Sequence, residues 1–151
     1  MEHELYRLNL SCFGAGINHE GQEFTGTLRA TTVFNGAGAS LHFKATGREG
    51  EVFHEEASLI GPDHEGKPSL FVLSTNHPFV MPHQLKHQAR DLDGERFVFS
   101  AGDMTNKAIF REEITLKIFQ DGSVEYSYAW GMPGGEFAER STAKMAPVRN
   151  Q

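Results

Sequence analysis

Phe110-Arg-Glu-Glu-Ile-Thr-Leu-Lys-Ile-Phe-Gln-Asp-Gly-Ser-Val-Glu-Tyr-Ser-Tyr-Ala-Trp130 reads as two alternating strands joined at Asp121-Gly122. A two-residue loop would set Ile114 and Leu116 against Ala129 and Ser127 and mix the two faces. A three-residue loop, Gln120-Asp121-Gly122, separates them: a type I turn is followed by Gly122 in the left-handed bulge position. The opposite pairs become Ile118/Val124, Leu116/Tyr126, Ile114/Tyr128 and Glu112/Trp130, while Lys117/Glu125 and Thr115/Ser127 form a solvated face. Only Glu112 breaks the apolar side.

The same turn chemistry recurs along the chain. Asn35-Gly36 pairs Leu28 with Phe43 and Ala30 with Leu41, leaving Arg29/His42 and Thr27/Lys44 on the other face. Loop Leu92-Asp93-Gly94 predicts Ala89/Phe97, His87/Phe99 and Leu85/Ala101, with Gly94 left-handed like Gly122. Turns at Gly47–Gly50, Gly61–Pro68 and Met132–Gly135 complete the punctuation. About ten strands follow, near 5–14, 24–34, 38–47, 51–60, 69–75, 83–91, 95–101, 108–119, 123–131 and 136–146. Residues 14–21 and 76–82 read as irregular. Successive hairpins with one apolar face make a single antiparallel, all-β meander, and closure into a barrel removes its exposed edges. Ten strands should leave space inside.

The 151 residues read as one domain. There is no apolar run of membrane-spanning length, and Met1-Glu-His-Glu is acidic where a signal peptide is basic, so the expected compartment is the cytoplasm. Cys12 is the only cysteine, which excludes an internal disulfide. With 14 basic against 20 acidic residues, a net charge of −6 and no basic stripe, neither nucleic acid nor an anionic membrane is an expected partner.

On Phe110–Leu116, Asp121-Gly122, Gly134-Gly135 and the closing stretch Phe137-Ala-Glu-Arg-Ser-Thr-Ala-Lys-Met145, the chain resembles bacterial calycin-like β-barrel proteins of uncharacterised function. Their architecture is shared with lipocalins and fatty-acid-binding proteins. The lipocalin Gly-X-Trp signature and the helical pair of fatty-acid-binding proteins are absent, so the resemblance implies the barrel and not a lipid. Fatty-acid-binding proteins hold a carboxylate with an interior arginine and tyrosine on late strands, which makes Arg140 with Tyr126 or Tyr128 the analogous group. Haem-binding relatives depend on a histidine late in the chain, and none follows His87 here; no cofactor is expected.

Glu112 is the first candidate for chemistry, because a carboxylate on the interior face must be paired, protonated or near the mouth. Its expected role is a ligand's polar anchor or a partner of an interior base. A four-residue loop at 132–135 turns Phe137, Glu139 and Ser141 inward; a one-residue shift instead sets Arg140 opposite Tyr128, within reach of Glu112. His77, His83 and His87 are close in sequence, but His83 and His87 on one strand lie about 13 Å apart, too far to share an ion. No metal is expected, and neither a nucleophile elbow nor a phosphate loop is present. The sequence thus points to a barrel binding a small, partly apolar molecule against Tyr126, Tyr128, Trp130, Phe97 and Phe99, with Glu112, His87 and Arg140 setting polarity. The alternatives are an enzyme using Glu112 or His87 as acid/base, and a structural or oligomerising barrel without a ligand.

Overall fold

The computed structural model describes residues 3–148. Ten antiparallel strands follow one another: β1 (Leu10–Asn18), β2 (Glu23–Val33), β3 (Gly38–Thr46), β4 (Val52–Pro62), β5 (Pro68–Ser74), β6 (Met81–Arg90), β7 (Gly94–Ala101), β8 (Arg111–Phe119), β9 (Val124–Gly131) and β10 (Ala138–Pro147). Each pairs with the next, and β10 returns to β1, so the meander closes into a barrel.

The deciding hairpin has the register read from its sequence. Ile118, Leu116, Ile114 and Glu112 oppose Val124, Tyr126, Tyr128 and Trp130, and Gly122 has φ 87°. The β2–β3 pairs are also as expected, although their turn is wider: Phe34 and Asn35 both take positive φ, and the strands end at Val33 and Gly38. The β6–β7 expectation is corrected. Gln88 opposes Phe97, a bulge follows, and Leu85 opposes Phe99, while His87 meets Val98. Past the bulge the side-chain alternation of β6 reverses, which turns His87 to the exposed outside. Gly94 is nearly extended at φ 159°; what excludes a side chain there is the Ile118 carbonyl.

The first strand is displaced from its expected span. Residues 4–7 form a 3-10 turn whose Leu5 N–H donates to His3 Nδ1, and Leu5 and Tyr6 are buried across one end of the barrel. Strand β1 then continues through Gly14–Asn18, the segment expected to be irregular. Its glycines permit close approach rather than a bend. A Cβ on Gly14 would run into the Lys144 carbonyl, and one on Gly16 into the Phe24 ring and the Thr142 carbonyl. Much of the interior is filled: Leu28, Phe43, Leu70, Phe97, Phe99 and Leu116 form a continuous cluster with Leu5 and Tyr6. Among the described residues no helix is long and apolar enough to cross a membrane.

Candidate ligand site at the open end of the barrel

The end opposite the Leu5–Tyr6 plug is polar inside. Its chemistry begins on β4, where the usual pattern is inverted: Glu56 and Ser58 are buried inside, while Leu59 is 54% exposed outside. Glu56 is fully enclosed. Ser58 Oγ donates to it at 2.5 Å, Tyr126 Oη lies 2.9 and 3.0 Å from its two oxygens, and Tyr128 Oη makes a third, short contact. Burial pushes its carboxyl up to about 7, against the lowering effect of the Ser58 and Tyr126 hydroxyls; the charge of Glu112 adds to the rise. Burial, with Glu56 beside it, also raises the Tyr126 phenol well above its ordinary range.

Glu112 enters from β8, one strand from Trp130, with its side chain 2% exposed. His83 Nε2 lies 2.8 Å from Oε1, and His83 Nδ1 lies 3.1 Å from the Met81 carbonyl. A carbonyl only accepts, so Nδ1 carries a hydrogen, and the Nε2 contact to a carboxyl oxygen needs a second one. His83 and Glu112 together therefore hold one proton more than a neutral imidazole beside a bare carboxylate. Burial raises the Glu112 carboxyl, but contacts with His77 and His83 outweigh it and hold the group below its ordinary value. Glu112 Oε2 is 3.5 Å from His77 Nε2 without hydrogen-bond alignment, and neither atom has another partner.

His77 comes from the β5–β6 loop, which folds over this end and sets its ring edge-on to Phe110 at 5.0 Å. His54, on β4, lies edge-on to Tyr128 at 4.8 Å and 3.2 Å from Thr75 Oγ1 through Nδ1. Burial lowers its pKa more than nearby Glu112 and the Asn76 side chain raise it, and its Nε2 makes no aligned hydrogen bond. Four buried side-chain polar atoms among the described residues lack an aligned hydrogen bond; all four lie at this end, and three of them, on His54, His77 and Glu112, belong to residues that wall its cavities.

Two adjoining cavities open beside these atoms and share Asn76 and Trp130 in their walls. One, about 220 Å³, is walled by Phe43, Phe53, His54, Tyr128 and Arg140. The other, about 230 Å³, is walled by His77, Phe110, Glu112 and Met132. Each is slightly below the roughly 300 Å³ at which ligand pockets begin, and together they fall within that range. Arg111, 1% exposed, anchors the neighbouring turn by donating to the carbonyls of Ile109, Met132 and Gly135.

The structure brings Glu112, Tyr126, Tyr128 and Trp130 to one end of the barrel, as their register requires. Phe97 and Phe99, each 1% exposed, belong to the packed interior and line neither mouth cavity. His87 is on the outer face, away from both. Arg140 does not reach Glu112. The one-residue shift holds at the start of β10, where Ala138 opposes Trp130, but a bulge then sets Ser141 against Tyr128. The Arg140 guanidinium lies 4.4 Å from the Trp130 ring and donates to the carbonyls of Trp130 and Glu136. The partner of Glu112 is a histidine pair instead. Glu56 and His54 carried no signal in the alternation, because an inward polar row resembles an outward one. Among the described residues no group of three His, Cys, Asp or Glu side chains could hold a metal ion.

No family model matches the chain, and no curated protein does. Among solved structures, the crystal structure of Rv2717c from M. tuberculosis matches over 97% of this chain and 96% of its own, with a TM-score of 0.75 and 15% identity. At that identity the likeness establishes the fold.

Proposed function

We propose that this protein binds a small, partly apolar molecule in the open end of its barrel, the body of the ligand resting on Trp130, Tyr128, Phe53 and Phe110. The observation that carries the reading is the set of buried atoms without an aligned hydrogen bond, His54 Nε2 and the facing pair His77 Nε2 and Glu112 Oε2, gathered beside the two cavities. Buried polar atoms without partners are costly, and a ligand that supplies the missing hydrogen bonds recovers that cost. The reading extends to a cytoplasmic member of the bacterial calycin-like barrels, with neither nucleic acid nor membrane as partner, as the net charge of −6 supports. Native mass spectrometry of gently purified protein tests it. A single small molecule retained on each chain and released on unfolding is expected. A bare chain that also takes up nothing from a cell extract would overturn the reading.

A second reading makes the same cavity catalytic. It rests on Glu56, which exchanges its proton near neutral pH and meets the cavity through Tyr128, as an acid/base group should. Glu56→Gln should then abolish turnover of the retained molecule while leaving its binding intact. Unchanged turnover would remove Glu56 from the chemistry.

A further inference from the structure

The three unpartnered atoms are not chemically equivalent. Each imidazole nitrogen can donate or accept according to its tautomer, whereas an ionised carboxylate oxygen only accepts. Glu112 has one oxygen satisfied by His83, while the other faces His77 Nε2 at 3.5 Å without an aligned hydrogen bond, although its side chain is 2% exposed. A carboxylate withdrawn from water costs several kcal/mol unless it is paired and hydrogen-bonded on both sides. His83 and the extra proton it shares with Glu112 are engaged at Oε1, and the arginines nearby are committed elsewhere: Arg140 to two carbonyls and the Trp130 face, Arg111 to three carbonyls. His54 is kept uncharged by its burial.

From this arrangement we infer that the cavity selects a small organic cation, an ammonium or amidinium group on an apolar body, whose N–H groups donate to Glu112 Oε2. The inference rests on the binding reading above and names the class of ligand. The walls suit such a ligand, because Phe110, Tyr128 and Trp130 present aromatic surfaces beside the carboxylate, and ring faces attract cations. Trp130 already holds one guanidinium in this way. A carboxylate ligand, in contrast, would be brought towards the Glu112 carboxylate. His77, 3.5 Å from Oε2 and misaligned, occupies the approach without completing the hydrogen bond. It acts as the group the cation displaces from Oε2.

Three probes of one shape separate the cases: 3-phenylpropylammonium, 3-phenylpropanol and 3-phenylpropanoate, titrated calorimetrically against the wild type at neutral pH. The ammonium should bind at least about tenfold more tightly than the alcohol, and the carboxylate most weakly, as charge complementarity requires. In Glu112→Gln the ammonium preference should fall to about twofold or less, while alcohol binding persists. His77→Ala should strengthen ammonium binding severalfold, which decides the matter if Glu112→Gln does not fold. An alcohol or carboxylate bound as tightly as the ammonium, or a preference that survives Glu112→Gln, overturns the cation and leaves the binding reading standing. If none of the three binds, both fall.

Discussion

At the scale of single residues, the two interior carboxyls pull the pH dependence of stability in opposite directions. Glu56 keeps its proton to about pH 7 in the fold, against an ordinary value of 4.5, so the folded state binds more protons between those values. Its stabilising contribution is complete below about pH 4.5 and is lost as pH rises through 7, by roughly 3 kcal/mol in all. Glu112 is shifted the other way, and its contribution is present above the unfolded value and lost on acidification. The two shifts together put maximum stability near pH 4.5, the ordinary value of both groups. Thermal unfolding of Glu56→Gln should show the decline between that pH and about 7 flattened; an unchanged decline would contradict the assignment. Glu112 was visible in the sequence as the one residue out of place on an apolar face. Its histidine partners were not, since their meeting depends on the β5–β6 loop and on the position of a bulge.

At the scale of elements, turn chemistry made the β2–β3 and β8–β9 hairpins legible, because Asn35-Gly36 and Asp121-Gly122 fix a register that hydrophobic alternation then confirms. Strand β6 was not legible in the same way. Its polar alternation is continuous, whereas the bulge after Leu85 reverses it midway, and nothing local marks the extra residue. Strand β4 misleads more deeply: hydropathy turns Leu59 inward and Glu56 outward, the reverse of what the barrel does. Local rules tend to fail where function imposes polar interiors. Two glycine positions test the elements directly. Gly122→Val should cost about 1–2 kcal/mol or more and Gly122→Asn clearly less, since φ 87° suits only residues that tolerate the left-handed region; equal losses in chemical denaturation would count against the bulged turn. Gly14→Ala should cost more than about 2 kcal/mol, because its Cβ meets β10 backbone rather than a yielding side chain. A neutral result would mean that the β1–β10 seam is looser than its register indicates.

At the scale of the whole molecule, the barrel divides its labour along its axis. One end is closed by Leu5 and Tyr6 and packed with apolar side chains; the other carries Glu56, Glu112, three histidines and two cavities. On the binding reading, the packed end is the frame that holds these polar atoms in place beside the cavities. The most direct measurement of that claim is a titration with neutral N-phenyl-1-naphthylamine, followed by energy transfer from Trp130, the only tryptophan, in the wild type and in Ser141→Phe, which fills the wall opposite Tyr128. Saturable binding with about one probe per chain is expected, weakened at least about tenfold by the filling substitution while circular dichroism shows the barrel intact. Absence of saturable binding, or binding that Ser141→Phe leaves unchanged, would contradict it.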